Sequence, residues 1–281
     1  MPGGEALSGK LYLVATPIGN LEDITYRAVR VLREADVVAC EDTRQTRKLL
    51  DHYAIRKRTI SYHEHNEVER SQELVAEMLA GITVALVSDA GMPLISDPGY
   101  RLVRAAIQSG IAVEAIPGAC ALLTALAVSG LPADRFHFGG FLPAKSGQRQ
   151  KVLEASKDVP GTLIFYEAPH RILETLTAVA QTFGSRPVVV AREMTKVHEE
   201  ILRGTAADAG AALAARGSVK GEITLVIGKG AAGTGDQTPL HEAVALCVAQ
   251  GMPRMEAIKT VAHRRGLSKR EVYRELEKWK R

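Results

Sequence analysis

The sequence predicts an α/β protein made of two α/β domains and a small basic helical tail. Short apolar runs alternate with segments of helical periodicity over most of residues 11–227, a pattern typical of βαβ units and a mostly parallel sheet. The composition is 46% hydrophobic but only 5% aromatic, which suits strands that are buried on both faces. A Gly-rich linker at 228–238 separates this part from the tail.

The periodicity gives each element in order. In the first half, strands are predicted at 11–15, 36–40, 59–62, 82–88 and 111–116, with helices at 43–53, 68–80 and 100–108 and an amphipathic helix after residue 24. The rhythm breaks near 129–132. In the second half, strands are predicted at 136–141, 162–166, 187–192, 199–202 and 222–227, with helices at 148–156, 171–183 and 205–215. Three helices at 240–250, 254–265 and 268–280 follow, the last with a capping box formed by Ser268 and Glu271. The predicted domains are 10–130, 131–230 and 239–281, the last resembling a helix-turn-helix unit.

Cysteine content and hydropathy exclude several classes of protein. The three cysteines, Cys40, Cys120 and Cys247, are too few and too dispersed for a disulfide framework or a zinc cluster. The N-terminal residues lack the apolar centre of a signal peptide, and no run approaches the ~20 apolar residues that span a bilayer. We therefore expect a cytoplasmic protein that does not enter a membrane.

Charge is distributed unevenly along the chain. The net charge is +4, but residues 251–281 alone contain ten Lys or Arg and four Asp or Glu. A basic tail on a near-neutral body indicates a polyanionic partner. A solvated charged helix is an equally valid interpretation of the composition alone.

Glycine-containing turns follow three predicted strands, at 17–20, 89–93 and 117–119. In a parallel sheet these turns meet at the carboxyl edge, where open α/β folds bind ligands. The sequence contains neither a Gly-x-Gly-x-x-Gly fingerprint nor a P-loop. A ligand cleft other than a dinucleotide or nucleoside triphosphate site is therefore predicted.

The turns also carry a resemblance to a known family. Segments 15–25, 88–99, 116–119, 165–171, 192–196 and 220–222 are similar, in this order, to motifs of the tetrapyrrole methylase superfamily. Tetrapyrrole and diphthine methylases usually have Gly-x-Gly-Pro-Gly-Asp after the first strand. This chain instead has Ala15-Thr16-Pro17-Ile18-Gly19-Asn20, as the ribosomal RNA branch does.

The resemblance implies that S-adenosylmethionine binds in a cleft between the two α/β domains. It implies methylation of the ribose 2′-oxygen of a decoding-site cytidine in 16S rRNA of the small ribosomal subunit, and a homodimer. Cys120 would then be a wall residue and not a nucleophile. Carried over motif by motif, the cofactor contacts are Pro17, Asp89, Ala90, Gly91, Ile95, Cys120, Ala121, Glu167 and Met194.

A protonated ribose hydroxyl is a weak nucleophile, so a general base is expected near the cleft. The candidate catalytic residues are Asp42, Glu167, His170 and Glu193, with Glu41 and Lys196 close by in sequence. The alternative is that Arg44 and Arg171 pair with these carboxylates and hold the geometry of the domains.

Basic clusters supply candidate RNA contacts through phosphate groups. They are Arg44, Arg47 and Lys48 in the body and Arg264, Arg265, Lys269 and Arg270 in the tail, with a smaller group at Lys145, Arg149 and Lys151. Each cluster is also compatible with an ordinary solvated helix face, and the tail with a dimer-stabilising role.

Two further hypotheses arise from the sequence. The His63-Glu64-His65 segment is a possible metal ligand pair, but it has no second pair nearby in sequence, and no metal is predicted. As functions, a methylase of a tetrapyrrole precursor and a non-catalytic ribosome-binding factor remain alternatives.

Overall fold

The structure, a computed structural model, describes residues 9–229, 238–264 and 267–279. Over these residues the chain forms two five-stranded sheets with helices packed on them, followed by three C-terminal helices. The predicted α/β class is confirmed. None of the described helices is long and apolar enough to cross a membrane.

The first sheet is entirely parallel, as predicted, with strand order β3-β2-β4-β1-β5. Its strands are β1 (Lys10–Val14), β2 (Val37–Cys40), β3 (Arg58–Ser61), β4 (Val84–Val87) and β5 (Ala112–Ile116). The helices between them are α1 (Tyr26–Glu34), α2 (Thr43–His52), α3 (Glu67–Leu79) and α4 (Tyr100–Gln108).

The central strands are covered on both faces because successive side chains point to opposite sides of a sheet. In β2, Val37 and Ala39 pack in one apolar cluster, whereas Val38 and Cys40 pack in the other. Every residue of β2 and β4 is buried. This two-sided burial explains why these strands are continuous apolar runs without alternation.

The strand order reverses between β1 and β4. After β1 the chain continues toward β2. After the neighbouring strand β4 it continues through α4 toward β5, in the opposite direction along the strand order. The two loops therefore part at the carboxyl edge, the topological switch point at which open α/β sheets bind ligands.

The second sheet has the order β6-β7-β10-β8-β9, in which β6 and β7 are parallel and the other neighbours antiparallel. Strands β8 and β9 pair antiparallel as a hairpin. The strands are β6 (Phe136–Phe141), β7 (Thr162–Glu167), β8 (Val188–Arg192), β9 (Glu200–Gly204) and β10 (Ile223–Ile227). Helices α6 (Ser146–Ala155), α7 (Ile172–Phe183) and α8 (Ala206–Ala214) contribute to the apolar cluster on one face.

The opposite face of the second sheet packs against a helix that the sequence did not predict. This helix, α5 (Ala121–Ser129), buries Leu122, Ala125 and Leu126 against residues of β7, β8 and β10. It lies N-terminal to the predicted boundary at 130, yet its main packing is with the second sheet. The division into 10–130, 131–230 and 239–281 stays a prediction.

The tail contains the three predicted helices, α9 (Leu240–Ala249), α10 (Arg254–Arg264) and α11 (Lys269–Trp279). They share an apolar cluster of their own. The predicted capping box is confirmed, because the Glu271 N–H donates to Ser268 Oγ at 3.2 Å and the Ser268 N–H donates to Glu271 Oε2 at 2.7 Å.

Replacing Leu126 with Ala is expected to lower the free energy of unfolding by about 2–5 kcal/mol. The reason is that Leu126 is 5% exposed in the contact between α5 and the second sheet. Leu123→Ala on the same helix is the matched control: Leu123 is 51% exposed, so its effect should stay within about 0.5 kcal/mol. Urea unfolding measures both, and equal losses would contradict this packing.

Candidate functional site

A cavity of about 550 Å³ lies between the carboxyl-edge loops of the first sheet and the second sheet. Its size is within the range of small-molecule binding sites. From the first sheet, its wall includes the loops that follow β1, β4 and β5, and from the second sheet the ends of β6, β7 and β10. The cavity therefore lies at the carboxyl edge and switch point of the first sheet, between the two sheets.

The loops after β1 and β4 are joined by a pair of backbone hydrogen bonds. The Thr16 N–H donates to the Gly91 carbonyl at 2.9 Å, and the Gly91 N–H donates to the Thr16 carbonyl at 3.0 Å. Gly91 has a φ of +84°, which L-residues with a side chain rarely adopt. A Cβ there would also lie 3.3 Å from Ile18 Cγ2, so glycine keeps this wall of the cavity open.

Two loops beside the cavity contain non-glycine residues in the left-handed region. Leu94 and Ser96, in the loop after β4, have φ values of 73° and 68°. Glu193 and Thr195, in the loop after β8, have values of 51° and 66°. Such conformations cost about 1–3 kcal/mol each and persist only where surrounding contacts impose them. Backbone strain is thus concentrated at the cavity.

The contacts around these two loops include direct ones between the two halves of the protein. The Asn20 N–H donates to Thr195 Oγ1 at 3.1 Å. Gly19 lies so close to the loop after β8 that an added Cβ would be 2.5 Å from Lys196 Cγ. Ile18 and Met194 share one apolar cluster. The first and second sheets therefore close the cavity together.

Most of the predicted cofactor contacts come together at this cavity. Eight of the nine line its wall: Asp89, Ala90, Gly91, Ile95, Cys120, Ala121, Glu167 and Met194. The ninth, Pro17, is buried beside Ile18, which does line the cavity. Their contact with a cofactor stays a prediction.

Glu167 lines the cavity, but its carboxylate is engaged by three donors. Oε1 accepts from the Ala168 N–H at 2.8 Å and from Arg171 Nε at 2.6 Å, and Oε2 accepts from Thr175 Oγ1 at 2.5 Å. The side chain is fully buried. The alternative prediction, that Arg171 pairs with this carboxylate, is confirmed, and the geometry gives Glu167 a positioning role.

Asp42 lies outside the cavity wall, at the N-terminus of α2. It accepts hydrogen bonds from the Arg44 N–H at 2.8 Å and from the Arg44 guanidinium at 2.8 and 3.1 Å, so the predicted alternative of pairing is confirmed here too. The hydrogen bonds from Arg44 lower the pKa of Asp42 to about 2. A carboxylate of such low pKa is a poor proton acceptor at neutral pH.

Glu193 and His170 also lie outside the cavity wall. Glu193 Oε1 accepts from Lys196 Nζ at 2.8 Å and from the Glu222 N–H at 2.9 Å. The hydrogen bond from Lys196 lowers the pKa of Glu193. His170 is exposed in a short 3-10 turn between β7 and α7. Of the four candidate catalytic residues, the structure brings only Glu167 to the wall.

Asp97 is a cavity-lining carboxylate that the sequence reasoning did not select. Its pKa is raised to about 7: burial is the largest cause, the charges of Glu41 and Asp89 act in the same direction, and a hydrogen bond with Ser88 acts against them. A pKa near the operating pH is what a general base requires. The feature of the sequence that could have selected Asp97 is its position in the loop after β4, one of the two loops at the switch point.

Tyr166, in β7, belongs to the opposite wall of the same cavity. The pKa of its phenol is raised to about 12, mainly by burial, with a smaller contribution in the same direction from the charges of Cys120, Asp97 and Glu222. The phenol therefore stays protonated at neutral pH. Asp97 and Tyr166 bring one proton acceptor and one neutral hydroxyl to the cavity from different sheets.

Comparison with known proteins places this architecture in a family. The family "Tetrapyrrole (Corrin/Porphyrin) Methylases" matches residues 10–210. A curated protein named "Ribosomal RNA small subunit methyltransferase I" from Halalkalibacterium halodurans is 50% identical over 275 residues, covering 94% of this chain and 93% of that protein. A protein of the same name from Escherichia coli O157:H7 is 44% identical over 272 residues, covering 95% and 94%. The chain belongs to the tetrapyrrole methylase family, in its ribosomal RNA methyltransferase branch.

Solved structures support the fold of this methylase family. Uroporphyrin-III C-methyltransferase from Thermus thermophilus, solved in complex with S-adenosyl homocysteine, has a TM-score of 0.54 at 21% identity and covers 78% of this chain and 97% of that chain. A diphthine synthase has a TM-score of 0.61 at 16% identity, covering 78% and 90%. The predicted family and fold are thus confirmed, and the chain is a methyltransferase with the fold of S-adenosylmethionine-dependent enzymes.

The basic residues predicted to contact RNA lie on two surfaces of this methyltransferase. Arg44, Arg47 and Lys48 are exposed on α2, and Lys269 and Arg270 are exposed on α11. Arg264 ends α10, and Arg265 lies outside the described residues. Arg149 does not belong to a surface cluster with Lys145 and Lys151, because it is buried and its guanidinium binds Glu174 at 3.0 Å.

The His63-Glu64-His65 segment forms a small polar cluster next to α3. The rings of His63 and His65 are 5.9 Å apart, and His63 Nε2 lies 3.4 Å from Asn66 Nδ2. Within the described ranges, no group of three or more His, Cys, Asp or Glu side chains is placed to hold a metal ion. The expectation of a metal-free enzyme stays a prediction.

Replacing Arg171 with Met is expected to lower the free energy of unfolding by about 3–5 kcal/mol, because it leaves the buried Glu167 carboxylate without its charged partner. Arg44→Met is the matched control. The Arg44 side chain is 87% exposed, and loss of such a surface pair costs only about 0–1 kcal/mol. Thermal and urea unfolding report both values, and a similar small effect of the two substitutions would contradict the assigned role of Glu167.

Proposed function

We propose that this chain transfers a methyl group from S-adenosylmethionine to the ribose 2′-oxygen of a decoding-site cytidine in 16S rRNA of the small ribosomal subunit. The observation that carries the proposal is near full-length similarity to proteins named ribosomal RNA small subunit methyltransferase I. A cavity of small-molecule size at the switch point supports it.

The residues of the cavity fit the methyl donor. Its first-sheet wall includes the small residues Ala90, Gly91 and Ala121, which let backbone groups approach a flat ligand closely. Asp89, Ile95, Cys120, Glu167 and Met194 complete the predicted contacts, with Pro17 behind them. Carboxylates in the wall also suit a cationic donor. When bound, S-adenosylmethionine supplies a methyl group already activated by its positive sulfur.

The chain itself must position the acceptor hydroxyl, exclude water and take up the released proton. Asp97 is the group we assign to the proton. It lines the cavity, and no ion pair with a Lys or Arg of the described residues occupies its carboxylate. The predicted candidates Asp42, His170 and Glu193 lie outside the wall, and Glu167 is hydrogen-bonded throughout.

The basic residues supply affinity for the RNA backbone. Arg44, Arg47 and Lys48 on α2, with Arg264, Arg265, Lys269 and Arg270 in the tail, are proposed phosphate contacts. Asp42 and α2 follow β2 directly, so this basic surface begins at the same carboxyl edge as the cavity. Contacts of this kind weaken steeply with salt.

A homodimer in the cytoplasm is proposed as the working form. Large apolar side chains lie exposed on the neighbouring helices α3 and α4, among them Val68, Leu79 and Ile107. Exposed apolar surface of this kind supports an interface between protein chains.

Incubation with radiolabelled S-adenosylmethionine and small subunits from a strain that lacks this enzyme should yield labelled 2′-O-methylcytidine after the RNA is digested to nucleosides. Subunits from the parent strain, already modified, are the control and should accept no label. Label transferred to a tetrapyrrole precursor and not to RNA would establish the small-molecule alternative. Binding of the subunit without any transfer would instead indicate a non-catalytic binding factor.

Replacing Asp97 with Asn should lower kcat about 10²–10⁴-fold, the range of general-base catalysis. With the natural residue, kcat should rise with pH up to about 7, where Asp97 loses its proton, and the variant should lose this dependence. Glu222→Gln is the control, since Glu222 lies in the same wall but pairs with Lys196. An Asp97→Asn variant with natural kcat and pH profile would refute the assignment.

The same substitution has a readout in stability. Because the folded-state pKa of Asp97 is raised from 3.8 to about 7, the folded chain binds more protons than the unfolded chain between these values. The free energy of unfolding therefore falls as pH rises from about 4 to 7. The amide introduced by Asp97→Asn does not titrate, so this contribution should disappear in pH-dependent urea titrations of the variant.

A further inference from the structure

Strand β6 contains a β-bulge next to the cavity. Phe138 lies opposite Ile164 of β7, whereas Phe141 lies opposite Tyr166. Three steps along β6 thus match two steps along β7, so β6 holds one extra residue. Bulges of this kind redirect side chains and are frequent beside active sites.

Two glycines make the bulge possible. A Cβ on Gly139 would lie 2.3 Å from Phe165 Cε1, and Gly140 has a φ of +66°. The first position thus has no room for a side chain, and the second has a backbone conformation that side chains disfavour. The Gly-Gly pair in this strand is therefore a requirement of the bulge.

The extra residue changes the face on which Phe141 lies. In a regular strand, residues three apart point to opposite faces. Here the rings of Phe138 and Phe141 both pack edge-to-face on Tyr166, with centroids 4.9 and 5.4 Å away. Phe138 is partly buried in an apolar cluster, whereas Phe141 lines the cavity and is 57% exposed. The bulge thus presents one supported aromatic ring to the cavity and to solvent.

The bulge also lies close to the loop that carries the proposed proton acceptor. A Cβ on Gly140 would be 3.9 Å from Ser96 Oγ, and Ser96 immediately precedes Asp97. Phe141 and Asp97 both line the cavity. The strand that carries Phe141 therefore adjoins the loop that carries the proposed proton acceptor, on the same cavity.

We propose that Phe141 is the stacking platform for the pyrimidine base of the acceptor nucleotide. This inference rests on the proposed function and extends it to a substrate subsite. A nucleotide whose ribose enters an enclosed cavity leaves its own base stack, and an aromatic ring replaces the lost stacking. The small-residue wall of the first sheet is the surface assigned to the methyl donor, which leaves the exposed ring of the second sheet for the base.

The test is a series of substitutions assayed with small subunits and S-adenosylmethionine. Phe141→Ala and Phe141→Leu should raise KM for the subunit roughly 5- to 150-fold, the range expected for the loss of one base–aromatic stack. Phe141→Tyr should retain the natural KM, because it keeps the ring. Phe136→Ala is the matched control: Phe136 is 43% exposed on the same strand but does not line the cavity.

Two further measurements distinguish the other possible occupants of this ring. Affinity for S-adenosylhomocysteine, measured by calorimetry, should be unchanged in Phe141→Ala, and a loss would show that the ring contacts the donor. Sedimentation should give the natural oligomeric state, and dissociation would show that a second copy covers the ring. Either result, or an unchanged KM, overturns the inference while the natural enzyme still methylates the subunit. Failure of the natural enzyme to methylate RNA would instead reject the proposed function.

Discussion

The backbone pairing between Thr16 and Gly91 is the constraint on which the rest of the site depends. The loops after β1 and β4 leave the sheet toward opposite sides, so without a connection they would diverge. Their two mutual hydrogen bonds are reinforced by Thr16 Oγ1, which donates to the Ser88 carbonyl at 3.0 Å, and by Ser88 Oγ, which donates to the Gly91 carbonyl at 3.0 Å. Thr16 and Ser88 are buried, and buried polar groups of this kind are costly to leave unpaired. The floor of the cavity is thereby held rigidly.

The second sheet supplies the opposite wall of the cavity. Ile18, in the first of these loops, packs with Met194 of the second sheet in the same cluster that holds α5. The cavity therefore lies at the interface between the two sheets, and its shape depends on their packing. Leu126, which does not line the cavity, packs in the same apolar cluster as Ile18 and Met194, so its contacts stabilise the interface that encloses the cavity.

The sequence predicts elements best where an amphipathic period has clear ends. The predicted bounds of 100–108 and 136–141 are those observed for α4 and β6. Helix α5 is apolar around almost its whole circumference, and so it gave no period to detect.

In the site, local motifs indicate wall residues, but the protonation state of a carboxylate depends on partners from distant segments. Glu167 is engaged by Thr175 of α7, and Asp97 is perturbed by Glu41 from the end of β2; neither partnership has a signal in local spacing.

The charge distribution raises an apparent conflict, since carboxylates of the cavity and its border face a polyanionic substrate. The charges of Glu41 and Asp89 add to the effect of burial in raising the pKa of Asp97, and the charge of Asp89 likewise adds to burial in raising the pKa of Glu41. Their mutual repulsion favours one bound proton in the group, and a cationic donor relieves it further. The basic groups proposed to contact RNA phosphates, in contrast, belong to α2 and to the tail, outside the cavity wall. The proposed reaction needs a weak base and a cationic donor in the centre of the site and affinity for a polyanion around it. Acidic groups inside the cavity and basic groups outside it meet both needs. An Arg or Lys inside the cavity would lower the pKa of Asp97 and repel the donor. The negative charge that opposes entry of RNA phosphates into the cavity is therefore the same feature that would let Asp97 act as the proposed base.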